Sequence, residues 1–239
     1  MNRDRLFLYQ PVSGYCYNSD SIFLYQFISK LEPKGSVLDV GCGVGIISLL
    51  LSRDFDIQTT IIDKQEFMLE YAKHNFAING LEVSAVQGDF IEWVSEDRFD
   101  YIVSNPPFYD SRVTQSQDTS LNIARYAHHL PLESFIKRVK RYLKPKGWFV
   151  FCYDAKQLDL IMYYLKEYGI NPEIVRFVHS KIDRDSKLVF IAARNNSKSM
   201  TKIASPLVVF GDDDKYALEA NQAFEMANTH SIKAQRDKR

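Results

Sequence analysis

Short apolar runs alternating with longer stretches of helical spacing constrain this chain more than any other feature. The strand-like runs are Ser36–Val40, Gln58–Asp63, Val83–Gln87, Phe99–Val103 and Trp148–Tyr153. Between them, Val44–Arg53, Lys64–Asn79, Phe90–Glu96 and Leu132–Leu143 carry apolar residues every three or four positions, the period of one helix face. Strand–helix alternation of this kind means βαβ units and a mostly parallel sheet. After a helix expected over Asp154–Tyr168 the rhythm changes. Glu173–His179 and Lys187–Arg194 are strand-like and joined by the short polar link Ser180–Ser186. They read as an antiparallel hairpin at one sheet edge. Leu207–Phe210 and Tyr216–Met226 read as a last strand and helix. The polar stretch from Asn228 is expected to be a disordered tail.

A length of 239 residues fits one large domain with a small appendage. The expected division is a main domain over 1–200, a strand–helix extension over 201–227 and a tail over 228–239. Thirty acidic and thirty basic residues leave no net charge, which argues against a non-specific polyanion binder but leaves room for a local basic patch. Cys16, Cys42 and Cys152 lie far apart without metal-ligand spacing, as in a reducing compartment and with no metal expected. The start, MNRDRLFLYQ, has no apolar signal core, and no run of 18 apolar residues occurs. A cytoplasmic protein without a membrane partner is expected.

Four junctions carry chemistry. Gly41, Gly43 and Gly45 fall between the first strand and first helix, where glycines allow a tight turn and close approach to a ligand. The spacing is G-x-G-x-G rather than the dinucleotide form, and no Walker lysine follows. Asp63 lies 22 residues after Gly41, at the end of the second strand. A doubly wound fold places a ribose-binding carboxylate there; a helix cap is the plainer role, and one residue can serve both. Gly88-Asp89-Phe90 follows the third strand. Asp89 could accept from an adenine amine and Phe90 pack on its ring, or the three could form an ordinary β-to-α turn. Asn105-Pro106-Pro107-Phe108 follows the fourth strand. Two prolines stiffen that loop and keep Asn105 out of helical geometry. The Asn105 side-chain oxygen and the Pro106 carbonyl can each accept one N–H of a planar amine, and Phe108 can stack on the group that bears it. The plainer reading is a proline-rich turn with a half-buried ring.

VLDVGCGVG, then Asp63, GDF and SNPPF, in this order and spacing, resembles a class I S-adenosylmethionine-dependent methyltransferase acting on exocyclic amines. The whole chain is similar to tRNA adenine methyltransferases that modify the 6-amino group of the adenine beside the anticodon of valine tRNA. GYCYNSDSIFLYQFI, with Asp20, resembles that family's leading helix. Asn122–Leu130 resembles the segment after its mobile loop, and Pro206–Phe224 its C-terminal strand and helix. The resemblance implies a Rossmann-like α/β fold, with a mostly parallel seven-stranded sheet and an antiparallel edge hairpin. It implies that Asp39, Gly41, Gly43 and Gly45 hold the methionine end of S-adenosylmethionine. Asp63 would bind its ribose, and Asp89 and Phe90 its adenine. Asn105, Pro106 and Phe108 would hold the target amine and base, with Pro107 and Arg125 against a tRNA substrate.

Two rival activities share the Asn-Pro-Pro-aromatic loop: methylation of a protein glutamine, and of a guanine 2-amino group in ribosomal RNA. A methyltransferase that has lost catalysis and only binds is the non-enzymatic alternative. Lys137, Arg138, Lys140, Arg141, Lys144 and Lys146 read first as a solvated helix face and second as a phosphate-contacting patch. His128 and His129 read as capping or surface residues. Asp212, Asp213 and Asp214 read as a turn at a helix start rather than a metal site.

Overall fold

Residues 4–12, 16–106 and 131–234 are described in a computed structural model of the chain. In order they form β1 (Leu6–Pro11), α1 (Ser19–Ser29), β2 (Gly35–Val40), α2 (Ile46–Asp54), β3 (Ile57–Asp63), α3 (Glu66–Ile78), β4 (Ser84–Gln87) and β5 (Phe99–Ser104). Then follow α4 (Leu132–Tyr142), β6 (Leu143–Asp154), a 3₁₀ turn (Ala155–Gln157), α5 (Leu158–Glu167), β7 (Ile170–His179) and β8 (Leu188–Asn195). The two-residue strands β9 (Lys202–Ile203) and β10 (Leu207–Val208), α6 (Leu218–Ala227) and β11 (Thr229–Ala234) complete the order.

The main sheet runs β10-β7-β8-β6-β5-β2-β3-β4, with β9 also against β7. From β6 to β4 every pairing is parallel. β8 is antiparallel to both β6 and β7. The seven longer strands are those expected, and β9 and β10 extend the hairpin edge. Alternate residues of the central strands divide between two cores, as the period of two requires. Val37, Tyr101, Val103, Val150 and Cys152 pack with α1 and α2. Leu38, Val40, Ile102, Phe149 and Phe151 pack with α4 and α5. Both faces are covered, which is why these strands read as continuous apolar runs.

Three expectations are corrected. Phe90–Glu96 is not a helix: only one turn forms, with Glu92 and Trp93 N–H donating to the Asp89 carbonyl. The next bond would run from Val94 N–H to the Phe90 carbonyl, which instead accepts from Arg138 Nε. The region after Asn228 is not a free tail through residue 234, because β11 pairs in parallel with β1, from Leu6 with Thr229 to Pro11 with Ala234. Residues 235–239 lie outside the described residues. β1 itself has no counterpart among the expected elements. Its other edge is held by side chains of α3. Asn79 exchanges hydrogen bonds with the backbone N–H and C=O of Phe7, and Asn75 does the same with Tyr9, at 2.7–2.9 Å. Asn75 Nδ2 also donates to the Val44 carbonyl in the glycine loop at 2.9 Å.

The C-terminal helix is tied down by charge. Arg176 of β7 is buried and meets both oxygens of Glu219, at 2.9 and 2.5 Å, while Lys30 of α1 reaches the same carboxylate at 2.9 Å. Arg176 above all, then Lys30, holds the Glu219 carboxyl down at about 2. A depressed acid stabilises the fold above its ordinary value of 4.5 and loses that contribution as pH falls toward 2. Glu219→Gln is expected to cost about 1–2 kcal/mol at neutral pH, discounted for partial exposure. Melting should fall by about 3–6 °C, with the gap to wild type closing below the ordinary carboxylate range. Calorimetric melting between pH 3 and pH 7 checks this; an equal gap at both ends would refute the ion-pair account.

Candidate active site

β5, β2, β3 and β4 lie side by side and run the same way, so their C-terminal ends open on one crevice. The chain winds from β2 outward to β4, then returns to place β5 on the other flank of β2. Ligands of open α/β sheets bind at such a reversal. The cleft is lined by Asp39, Gly41 and Gly43, by Asp63, Lys64 and Gln65, by Gly88, Asp89 and Phe90, and by Asn105. Tyr17 and Ser21, before and within α1, close one side. Of the residues expected from sequence, Asp39, Gly41, Gly43, Asp63, Asp89, Phe90 and Asn105 therefore come together. Pro106 is buried directly after Asn105. Pro107, Phe108, Arg125, His128 and His129 lie outside the described residues.

Gly45 is placed elsewhere. It does not line the cleft, and a Cβ there would stand 3.1 Å from Ala72 Cβ. With φ at +81°, it lets α2 start directly against α3. Gly41, at φ +68°, has no atom within 4 Å of where a Cβ would stand. Its glycine serves the turn, and the space above it belongs to the cleft.

The three acids differ in what they hold. Asp63 is buried; its Oδ2 accepts from Gly43 N–H and its Oδ1 from Gln65 N–H, both at 2.8 Å. It thus pins the glycine loop and caps the approach to α3 at once. Burial raises its carboxyl, and the backbone N–H groups pull it partly back. Asp89 accepts from Ile91 N–H at 2.9 Å through Oδ1 and from Lys64 at 2.9 Å through Oδ2. A carboxylate oxygen has two acceptor sites, so further donors can still be met. Phe90 packs edge-on against Phe135 and beside Tyr142, with ring centroids 5.8 Å apart in each case. Asp39 is the most confined, and its Oδ2 is buried without a partner among the described residues. Burial pushes its carboxyl up to about 7, Ser48 offsetting part of the effect and Asp63 adding to it.

That position has a measurable consequence. In the unliganded protein Asp39 holds its proton up to about 7, whereas in the unfolded chain it releases it near 3.8. Between those values the folded state binds more protons, so stability falls as pH rises through the window. Asp39→Asn is expected to remove this slope and raise the melting temperature of the unliganded protein above pH 7. The gain is roughly 2–4 kcal/mol, since each tenfold change in proton affinity corresponds to about 1.4 kcal/mol. Parallel pH profiles for both proteins would contradict the assignment.

Asn105 is positioned by two serines that sequence reasoning did not single out. Ser104 Oγ donates to the Val40 carbonyl at 2.7 Å, joining the end of β5 to the end of β2. Asn105 Nδ2 donates to Ser21 Oγ at 3.2 Å, and Asn105 Oδ1 is buried without a partner among the described residues. Lys64 and Gln65 were also missed, though their adjacency to Asp63 was the available signal. Asp20, which the leading helix offered, is half-buried and bonded to Asn18 at 2.8 Å, and it does not line the cleft.

Of the basic residues on and after α4, Lys137, Arg141 and Lys146 are exposed, as a solvated face requires, while most of the six also meet partners within the domain. Arg138 donates to the carbonyls of Phe90 and Trp93. Lys140 meets Gly169 O, Asn195 Oδ1 and Asn196 Oδ1, Lys144 meets Asp100, and Lys146 meets Asn196 O. Arg141 lies over the Tyr142 ring. These cations brace the domain, so reversing Arg138 or Lys140 would destabilise the fold rather than report on RNA. Asp213 and Asp214 pair with Lys215 and Lys181 in the turn before α6. No group of residues able to hold a metal ion occurs among the described residues, and no described helix is long and apolar enough to cross a membrane.

The fold is that of the S-adenosylmethionine-dependent methyltransferases. It superimposes on a predicted O-methyltransferase from Agrobacterium tumefaciens with a TM-score of 0.69 at 11% identity, over 90% of this chain and 99% of that one. A T. Thermophilus 16S rRNA N2 G1207 methyltransferase, solved with AdoMet and guanosine, gives 0.55 at 19% identity over 77% of this chain and 45% of that one. The Methyltransferase small domain family matches residues 18–160, more than half of the chain, and the chain belongs to that family. It is an S-adenosylmethionine-dependent methyltransferase. A tRNA1(Val) (adenine(37)-N6)-methyltransferase of Phocaeicola vulgatus is 27% identical over 73% of this chain and 74% of that protein. A ribosomal RNA small subunit methyltransferase C of Actinobacillus pleuropneumoniae is 45% identical over 90 residues, 37% of this chain and about a quarter of that protein's length.

Proposed function

We propose that this enzyme methylates the exocyclic 6-amino group of an adenine in tRNA, beside the anticodon. The observation that carries the reading is Asn105 Oδ1, a buried acceptor on the wall of the cleft without a partner among the described residues. A buried polar atom normally has a partner, and an amine bound at this point would supply one. The relative from Phocaeicola vulgatus, matched over most of both chains, supports adenine in tRNA as the acceptor.

The cleft fits S-adenosylmethionine on its own chemistry. The unpartnered Asp39 oxygen suits an ammonium group, and the space over Gly41 suits a close backbone approach. Asp63 would take the ribose hydroxyls, Asp89 the adenine amine and Phe90 one edge of that ring. When bound, the cofactor supplies an already activated methyl group, so no general base is required. Asn105 Oδ1 and the Pro106 carbonyl would each accept one N–H of the target amine. This draws the nitrogen toward tetrahedral geometry and frees a lone pair otherwise delocalised into the base. Positioning of this kind is worth up to about 7–11 kcal/mol in favourable systems. A base in folded RNA has to be splayed out to reach the loop.

The test is methyl transfer from labelled S-adenosylmethionine to an unmodified valine tRNA transcript and, separately, to small-subunit ribosomal RNA. Nucleoside mass spectrometry reads the product. N6-methyladenosine in the tRNA is expected. N2-methylguanosine in ribosomal RNA would replace this reading with the guanine 2-amino rival, the chemistry named for the T. Thermophilus enzyme. Methylation of a glutamine peptide alone would replace both.

A further inference from the structure

We propose that Ser21 is the positioning residue for Asn105, anchoring one edge of its amide so that the other edge faces the cleft; this rests on the reading of Asn105 given above. An asparagine amide carries a carbonyl oxygen on one edge and an NH2 group on the other, and only the oxygen can accept from a target amine. A serine hydroxyl that accepts from the NH2 edge, as Ser21 does, leaves the oxygen edge toward the cleft. With the amide reversed, donors would oppose donors and the incoming N–H groups would lose their acceptor, a costly arrangement in a buried site.

The NH2 edge is held by Ser21 Oγ, 84 residues away in sequence and only 3% exposed. The opposite edge is Oδ1, buried and without a partner among the described residues. Both residues line the same cleft. The backbone on either side is firm. Ser104 ties the end of β5 to Val40, and α1 starts at the Asn18 cap and buries one continuous segment from Ser21 to Ile28. The loop thus fixes where Asn105 stands, and α1 fixes how its side chain is turned. This gives the leading helix a part in the acceptor site that its distance from the Asn-Pro-Pro-Phe segment conceals.

The test reads the amide directly. In uniformly ¹⁵N-labelled protein, the Asn105 side-chain NH2 pair is the one lost in Asn105→Asp. Ser21→Ala should speed its exchange with water by at least about tenfold and bring its two proton shifts together. Ser21→Thr keeps a hydroxyl and should preserve the wild-type pattern. In methyl transfer to the valine tRNA transcript, Ser21→Ala should lower kcat by about ten- to a hundredfold. Cofactor Kd should stay within about twofold, and Ser21→Thr should restore turnover. Alanine suits a helix interior, and Ser21→Cys, a weak acceptor of similar size, repeats the test should the alanine variant fold poorly. Unchanged Asn105 amide signals in Ser21→Ala overturn the proposal whatever the activity. Wild-type turnover in Ser21→Ala beside a disabled Asn105→Ala overturns it as well. Wild-type turnover in Asn105→Ala is a different result: it overturns the reading of Asn105 itself.

Discussion

Asn105→Ala is expected to bind S-adenosylmethionine with near wild-type affinity and to transfer its methyl group about a hundred- to a thousandfold more slowly, the usual cost of deleting one preorganised polar contact at a reacting centre. The two halves of this expectation have separate causes. Affinity survives because Asn105 makes no hydrogen bond to the glycine loop, Asp63 or Asp89; among the described residues its side chain bonds to Ser21. The end of β5 keeps its own anchor through Ser104. Rate falls because the buried Oδ1 is removed from the place where a target amine would meet it. Calorimetry gives the affinity, and single-turnover transfer to the valine tRNA transcript gives the rate. Equal rates for variant and wild type would remove Asn105 from the reaction. A large loss of cofactor affinity would show instead that the loop shapes the cofactor half of the cleft.

Asp63→Ala should act on that other half, weakening S-adenosylmethionine binding by more than about tenfold. A single lost hydrogen bond to a charged group costs about 1.5–3 kcal/mol, and Asp63 makes two within the protein before any ligand arrives. Gly43 N–H and Gln65 N–H both lose their acceptor in the variant. The glycine loop and the turn into α3 then come loose together, and a ribose diol loses its carboxylate. Asp63→Asn separates the contributions, since it keeps an acceptor for one backbone group while removing the charge. Affinity in the order wild type, asparagine, alanine is expected by calorimetry. Unchanged affinity in Asp63→Ala would sink the ribose assignment and leave Asp63 as a cap.

The sheet was legible because its strands are buried on both faces, so β2, β3, β5 and β6 announce themselves as apolar runs. The order of the cleft followed from that, since a parallel sheet collects its chemistry at one end. What stayed hidden depended on partners far away in sequence. Nothing in Thr229–Ala234, with one large apolar residue in Ile232, marks it as a strand; it becomes one because β1 offers an edge. Phe90–Glu96 has helical spacing, yet the Phe90 carbonyl that its second turn needs is taken by Arg138. The cations of α4 look alike in sequence whether they face water or brace carbonyls. Ser21 gave no signal, because its partner stands on another element.

The pairing of β1 with β11 sets an order of events in time. Leu6 and Thr229 are 223 residues apart, so a ribosome delivers the first strand long before the second. At about 5–20 residues per second, β1 waits roughly 10–45 s for its partner. An unpaired edge over that interval invites pairing with another nascent chain. Asn75 and Asn79 are synthesised early, and in the fold they satisfy the N–H and C=O groups of Phe7 and Tyr9 on the opposite edge, so only the edge that awaits β11 need stay open. Two amide side chains thereby stand in for a neighbouring strand on one side of β1 while synthesis continues. Because Asn75 also grips the Val44 carbonyl, the newborn amino terminus is moored to the glycine loop well before the carboxyl-terminal strand closes over it.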